Sequence, residues 1–181
     1  MNLTEKTLSS VNAFDGHILH LCVDTVELPD GQTATREFIK HPGGVAVVAL
    51  TEDRQVLLVR QYRYPYGEVV TEIPAGKRDS GEDPLTTGRR ELEEETGYTA
   101  DTYTSLGTLY PSPGYVDEVI YLYLATGLHP TAAHPDADEF LEVERRPIEE
   151  LVSDILEGKI PDAKTQTAVL KTYLLLKQKG G

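Results

Sequence analysis

Glu91, Glu94 and Glu95 stand at spacings that gather their carboxylates if the segment is helical, since 91 and 95 are i,i+4 neighbours and 91 and 94 are i,i+3 neighbours. Like charges so placed repel and weaken a helix by a few tenths of a kcal/mol per pair, roughly. A hard divalent cation removes that penalty, because Mg²⁺ prefers carboxylate and water oxygens. Arg90 precedes the acids and can pair with a carboxylate such as Glu82, which would hold the preceding loop against the helix. A block of acids alone is ordinarily a solvated helix face. The spacing of the wider segment, Gly76 to Tyr98, argues for chemistry instead.

The elements around this cluster follow from local signals. Asp83-Pro84 is a good N-cap followed by a proline at the first helical position, and Gly97 sits where a C-cap glycine belongs. The helix is therefore expected over 84–96, with Gly88 inside it at a cost of about 1 kcal/mol against Ala. Ala75–Glu82 is expected as the loop leading in. Apolar and β-branched runs predict strands at 45–50, 55–61, 68–73, 105–110, 118–125 and 139–145. Helices follow at 148–157 and 163–177. Strands, one helix, more strands and then helices point to an α/β sandwich with a mixed sheet.

Ahead of this lies an antiparallel β hairpin, His17–Leu28 and Gln32–Lys40 around the Pro29-Asp30-Gly31 turn, preceded by a mobile lead-in over residues 1–16. The expected division is a lead-in and hairpin over 1–42 and a larger domain over 43–181.

The 181 residues carry a net charge of −13. Such a surface argues against non-specific binding to nucleic acid or to an anionic membrane. A phosphate-bearing substrate would need a cation as mediator. The lone cysteine, Cys22, excludes an intrachain disulfide and reads as a packed small apolar residue. His17, His20, His41, His129 and His134 form no i,i+4 ligand pair. The N-terminus lacks the basic and apolar regions of a secretory signal, and no apolar run is long enough to span a bilayer. These features favour a reducing cytoplasm.

The segment from Gly76 to Tyr98 resembles the signature of the Nudix hydrolases, G-x5-E-x7-R-E-U-x-E-E-x-G-U, with U a bulky aliphatic residue. Gly76, Glu82, Arg90, Glu91, Glu94, Glu95 and Gly97 match every fixed position, and Leu92 satisfies the first U. At residue frequencies near 1 in 15, such a match arises by chance on the order of once in a million chains of this length. Tyr98 departs from the final U as a minor packing change. The resemblance implies cleavage of a nucleoside diphosphate linked to another group, with Mg²⁺ or Mn²⁺ as cofactor. It implies Glu91, Glu94 and Glu95 as metal ligands with the carbonyl of Ala75, and Glu82 and Arg90 as supporting members of the catalytic set.

Further segments resemble the ADP-ribose pyrophosphatases within that family: His41–Val48, Val59–Pro65, Glu72–Gly76, and Tyr110–Glu118 with its Ser-Pro-Gly. The likeness implies hydrolysis of ADP-ribose to AMP and ribose 5-phosphate. It makes Arg63 a substrate contact, through bidentate grip on phosphate or stacking on a base, with Arg60 a weaker candidate. Pro113 and Gly114 would shape a loop near the terminal ribose, with Glu118 nearby. The general base would come from the acidic loop over 136–139; Glu139 fits best, with Asp138 and Asp136 as alternatives. The resemblance also implies a homodimer whose N-terminal β element swaps onto the partner, letting Arg36, Glu37 and Phe38 reach a neighbouring site. Another Nudix specificity, for a nucleotide sugar or dinucleoside polyphosphate, is the nearer rival reading. A non-catalytic nucleotide-sensing module is the more distant one.

Overall fold

The computed structural model describes residues 2–134 and 140–179. The chain forms two compact units, one comprising residues up to Pro42 together with Ser112–Glu118, the other comprising Gly43–Pro111 and the chain from Val119 onward.

The first unit is a three-stranded antiparallel sheet of β1 (Lys6–Asp15), β2 (His20–Glu27) and β3 (Thr33–Lys40), in the order β1-β2-β3. The lead-in expected over residues 1–16 is thus mostly strand, and the hairpin is a three-stranded meander. Gly31, at φ 84°, makes the β2–β3 turn, its N–H donating to the Leu28 carbonyl at 2.9 Å. Cys22 is buried in β2, as expected of a small apolar residue. The 112–118 segment joins by main-chain bonds to Ile39, from Ile39 N–H to Tyr115 O at 2.8 Å and from Asp117 N–H to Ile39 O at 3.2 Å.

The second unit is built on a mixed sheet. Its strands are β4 (Gly44–Leu50), β5 (Gln55–Arg63), β6 (Glu68–Glu72), β7 (Ala75–Lys77), β8 (Tyr98–Leu109), β9 (Ile120–Pro130) and β10 (Leu141–Pro147). The order is β10-β5-β4-β9-β8, with β6 on β5 and β7 on β4. Only the β4–β9 pair is parallel among these strands. Helix α1 (Pro84–Thr96) lies on one face, and α2 (Ile148–Leu156) and α3 (Ala163–Lys179) lie on the other.

β4 shows why. All of its residues are buried, and the period of two along a strand sends alternate side chains to opposite cores. Val45, Val47 and Ala49 pack with Leu92 of α1, whereas Ala46, Val48 and Leu50 pack with Ile148, Leu151 and Val169 of α2 and α3. The result is the expected α/β/α sandwich.

Strand β7 corrects one expectation. Ala75–Lys77, read as loop, pairs antiparallel with β4, Ala75 opposite Ala46 and Gly76 opposite Val45. The loop proper begins after it, so Ala75 and Gly76 are fixed by the central strand of the sheet.

Candidate active site

Helix α1 starts and stops as its sequence dictates. The Asp83 carboxylate accepts from the N–H groups of Leu85 and Thr86, and Gly97 closes the helix at φ 69° with its N–H on the Glu93 carbonyl. The buried face is unusual in holding Glu91 and Glu95 beside Leu92, Thr87 and Gly88. Gly88 has a packing reason: a Cβ there would stand 3.0 Å from Val45 Cγ1 and 3.3 Å from Val47 Cγ2. The glycine lets the helix sit down on β4, which brings its acids to β7.

Arg90 is the hub of the acids. Its Nη1 lies 2.8 Å from Glu91 Oε1 and donates to Glu94 Oε2 at 2.9 Å. Its Nη2 donates to Glu82 Oε2 at 3.3 Å and to the Lys77 carbonyl at 3.4 Å. Partial burial disfavours the guanidinium's charge, but the bond to Glu82 and the charges of Glu91 and Glu94 outweigh it and raise the Arg90 pKa. The sequence-based pairing of Arg90 with Glu82 is therefore present. Glu82 also accepts from the Thr87 hydroxyl at 2.7 Å, a bond that with Arg90 holds its carboxyl below the ordinary value.

Glu95, 3% exposed, accepts the Ala75 N–H at 3.0 Å. The Glu91 carboxylate lies against Gly76, where any Cβ would overlap it. Thus Glu82, Arg90, Glu91, Glu94, Glu95 and Ala75 do come together.

Carboxylates and a main-chain carbonyl are all-oxygen donors, the chemical kind a hard divalent cation takes. The gap at Gly76 gives the Glu91 carboxylate a seat beside that main chain. Among the described residues no three acidic, His or Cys side chains already converge on one point, and Arg90 Nη1 supplies the positive charge between Glu91 and Glu94.

Arg63, at the end of β5, is clamped by a residue the sequence reading missed. Its Nε and Nη2 donate to the two oxygens of Glu72 at 2.7 and 2.8 Å. Glu72 is 2% exposed and also accepts from Lys164 of α3. Arg60 pairs with Glu142 at 2.9 Å on the exposed surface of β5 and β10.

Pro113, Gly114 and Glu118 belong to the first unit. Pro113 and Gly114 line a cleft of about 360 Å³ there with Arg36, Glu37 and Phe38, and Glu118 lies 3.5 Å from the His41 ring. Arg36 is engaged by Glu5 at 2.9 and 2.5 Å. Glu139, Asp138 and Asp136, the candidates for general base, lie outside the described residues. The chain just before them is tied to α1: Thr131 N–H donates to the Gly97 carbonyl at 2.7 Å, and His134 N–H to the Glu94 carbonyl at 2.9 Å.

This site stands in a chain whose residues 40–168 match the NUDIX domain and whose residues 5–39 match the nucleoside diphosphate sugar hydrolase N-terminal domain. The chain belongs to the Nudix family, whose hydrolases work with divalent metal ions. It is 46% identical to a methanol dehydrogenase activator of Bacillus methanolicus, over 96% of this chain and 94% of that protein. An ADP-ribose pyrophosphatase of Bacillus subtilis is 42% identical over 98% and 96% of the two chains. One from Mycobacterium tuberculosis is 39% identical over 93% and 83%. The fold is that of an ADP compounds hydrolase crystal structure, with a TM-score of 0.86 at 23% identity over 99% of this chain and 98% of the other.

Proposed function

We propose that this chain hydrolyses the pyrophosphate bond of ADP-ribose, or of a close ADP-sugar, to AMP and ribose 5-phosphate with Mg²⁺, for which Mn²⁺ can substitute. The observation that carries the chemistry is the gathering of Glu82, Glu91 and Glu94 on Arg90, with Glu95 fastened to Ala75. The two ADP-ribose pyrophosphatases, similar over nearly the whole chain, support the substrate.

Glu91, Glu94, Glu95 and the Ala75 carbonyl would hold the cation. When bound, it neutralises the diphosphate and polarises the phosphorus under attack. Arg90 and Glu82 keep the loop and helix in register. The part of the Arg63 guanidinium not engaged by Glu72 grips the substrate, by bidentate contact with phosphate or by stacking on the base. Arg60, three residues earlier on the same strand, is the weaker candidate for a substrate contact. Pro113, Gly114 and Glu118 shape the pocket for the terminal ribose. Glu139 takes the proton of the attacking water as general base, with Asp138 and Asp136 as alternatives. Oxygen of that water joins phosphorus as the bridging P–O bond breaks.

The working form is a homodimer in a reducing cytoplasm. β1 is exposed along its length, and Leu8, Val11 and Phe14 on it are 49%, 61% and 57% exposed, leaving apolar surface for a second copy to cover.

Comparing kcat/KM across ADP-ribose, GDP-mannose and a dinucleoside polyphosphate tests the substrate. The highest value is expected for ADP-ribose; a clear preference for either of the others would replace that part of the reading.

A further inference from the structure

A part-buried ionic chain, with Glu72 buried at its centre, links the first turn of α3 to Arg63. Asp162 precedes the helix; its Oδ2 accepts from the Thr165 N–H at 2.9 Å and from the Thr165 hydroxyl at 2.6 Å. Its Oδ1 accepts from Lys164 Nζ at 2.9 Å. Lys164 also donates to Glu72 Oε2, and Glu72 holds the Nε and Nη2 edge of Arg63. Thr165, fully buried, uses its remaining acceptor capacity on the Ile73 N–H at 2.9 Å. Two successive residues of one segment, Glu72 and Ile73, are thus bound by one helical turn. Ala75, whose N–H meets Glu95, comes two residues later.

Two carboxylates and two cations share this chain, so its formal charge cancels. A buried carboxylate with a single partner is costly, and removing one member of such a set leaves the others uncompensated. Arg63 presents its Nε and Nη2 edge to Glu72, and among the described residues the guanidinium's hydrogen bonds all go to that carboxylate, which leaves Nη1 for the substrate.

We infer that Lys164 is a positioning residue for substrate binding: by fixing Glu72 between α3 and β5, it sets the direction in which Arg63 offers its Nη1 donors to the substrate. Asp162 steadies Lys164 in that task. The inference rests on the reading of Arg63 as the substrate grip.

The test is a double-mutant cycle on ADP-ribose hydrolysis with Mg²⁺ at saturation, recording kcat, KM and Tm for each variant. Lys164→Met is expected to raise KM about fivefold to tenfold with kcat within about twofold, the pattern of lost uniform binding. Arg63→Ala is expected to raise KM further. In the Arg63→Ala background, Lys164→Met should add nothing to KM. Lys164→Arg should restore KM to within about threefold of the native value, because the contact needs a cation. If Lys164→Met does not fold, Asp162→Asn takes its place, with the same KM rise expected. A lowered Tm with KM unchanged in the Lys164 or Asp162 variant, while Arg63→Ala raises KM, overturns the positioning role alone. An unchanged KM in Arg63→Ala overturns the reading of Arg63 and the positioning role together.

Discussion

Gly76 and Glu91 claim the same small volume: a Cβ on Gly76 would overlap the Glu91 carboxylate. The obstacle is the far end of a side chain rather than main chain, so Gly76→Ala should fold. The displaced carboxylate would then be out of place for the cation. Turnover is expected to fall by about 10²-fold, the scale of an ångström-sized misplacement, with Tm near native. A large Tm loss with kcat retained would show that the glycine serves packing alone.

Gly88 tests the same principle with the opposite consequence. In a free helix, Gly→Ala stabilises by about 1 kcal/mol. Here the new methyl meets Val45 and Val47 at 3.0 and 3.3 Å, between the helix and a fully buried strand. Overpacking costs about 1–3 kcal/mol, so Gly88→Ala should be destabilised in urea unfolding. Net stabilisation would mean that α1 can lift from β4 without cost.

That contrast shows what could be read in one dimension. The Gly76–Gly97 box was legible because its acids, caps and arginine obey fixed local spacings. Gly88 was legible only as a weakness, since its reason lies on another element. Strand β1 was missed because its apolar residues Leu8, Val11 and Phe14 do not keep a period of two. The register with β2 shifts between Thr7 and Ser9 and again between Asn12 and Phe14. The Glu72–Lys164 pair joins residues 92 apart, and although Glu72 stands in a segment with a family resemblance, no local pattern marks the two as partners.

Glu72 gives a pH signature. Burial pushes its carboxyl up, but the hydrogen bonds and charges of Arg63 and Lys164 outweigh burial and hold it below the ordinary carboxylate value. A carboxylate depressed in the folded state contributes stability that is complete above the unfolded value and lost as pH falls through the folded one. Thermal melts from neutral pH down to about pH 3 should therefore show a steeper acid decline for the native chain than for Glu72→Gln. Parallel curves would assign the acid sensitivity to other groups.

Among the proposed bases, Glu139→Gln should lower kcat by about 10²-fold or more, with KM little changed. An unchanged rate, with a comparable loss in Asp138→Asn or Asp136→Asn, would move the proton-accepting role along that loop.

Glu95 offers the most direct trial of the central claim. Gln in its place keeps an oxygen for the Ala75 N–H and removes the negative charge. The measurement is AMP release from ADP-ribose, with Mg²⁺ and with chelator, by the native chain and by Glu95→Gln. The account predicts rapid release by the native chain with Mg²⁺, none with chelator, and none by the variant despite a native Tm. Metal-independent release, or near-native rates from Glu95→Gln, would contradict it.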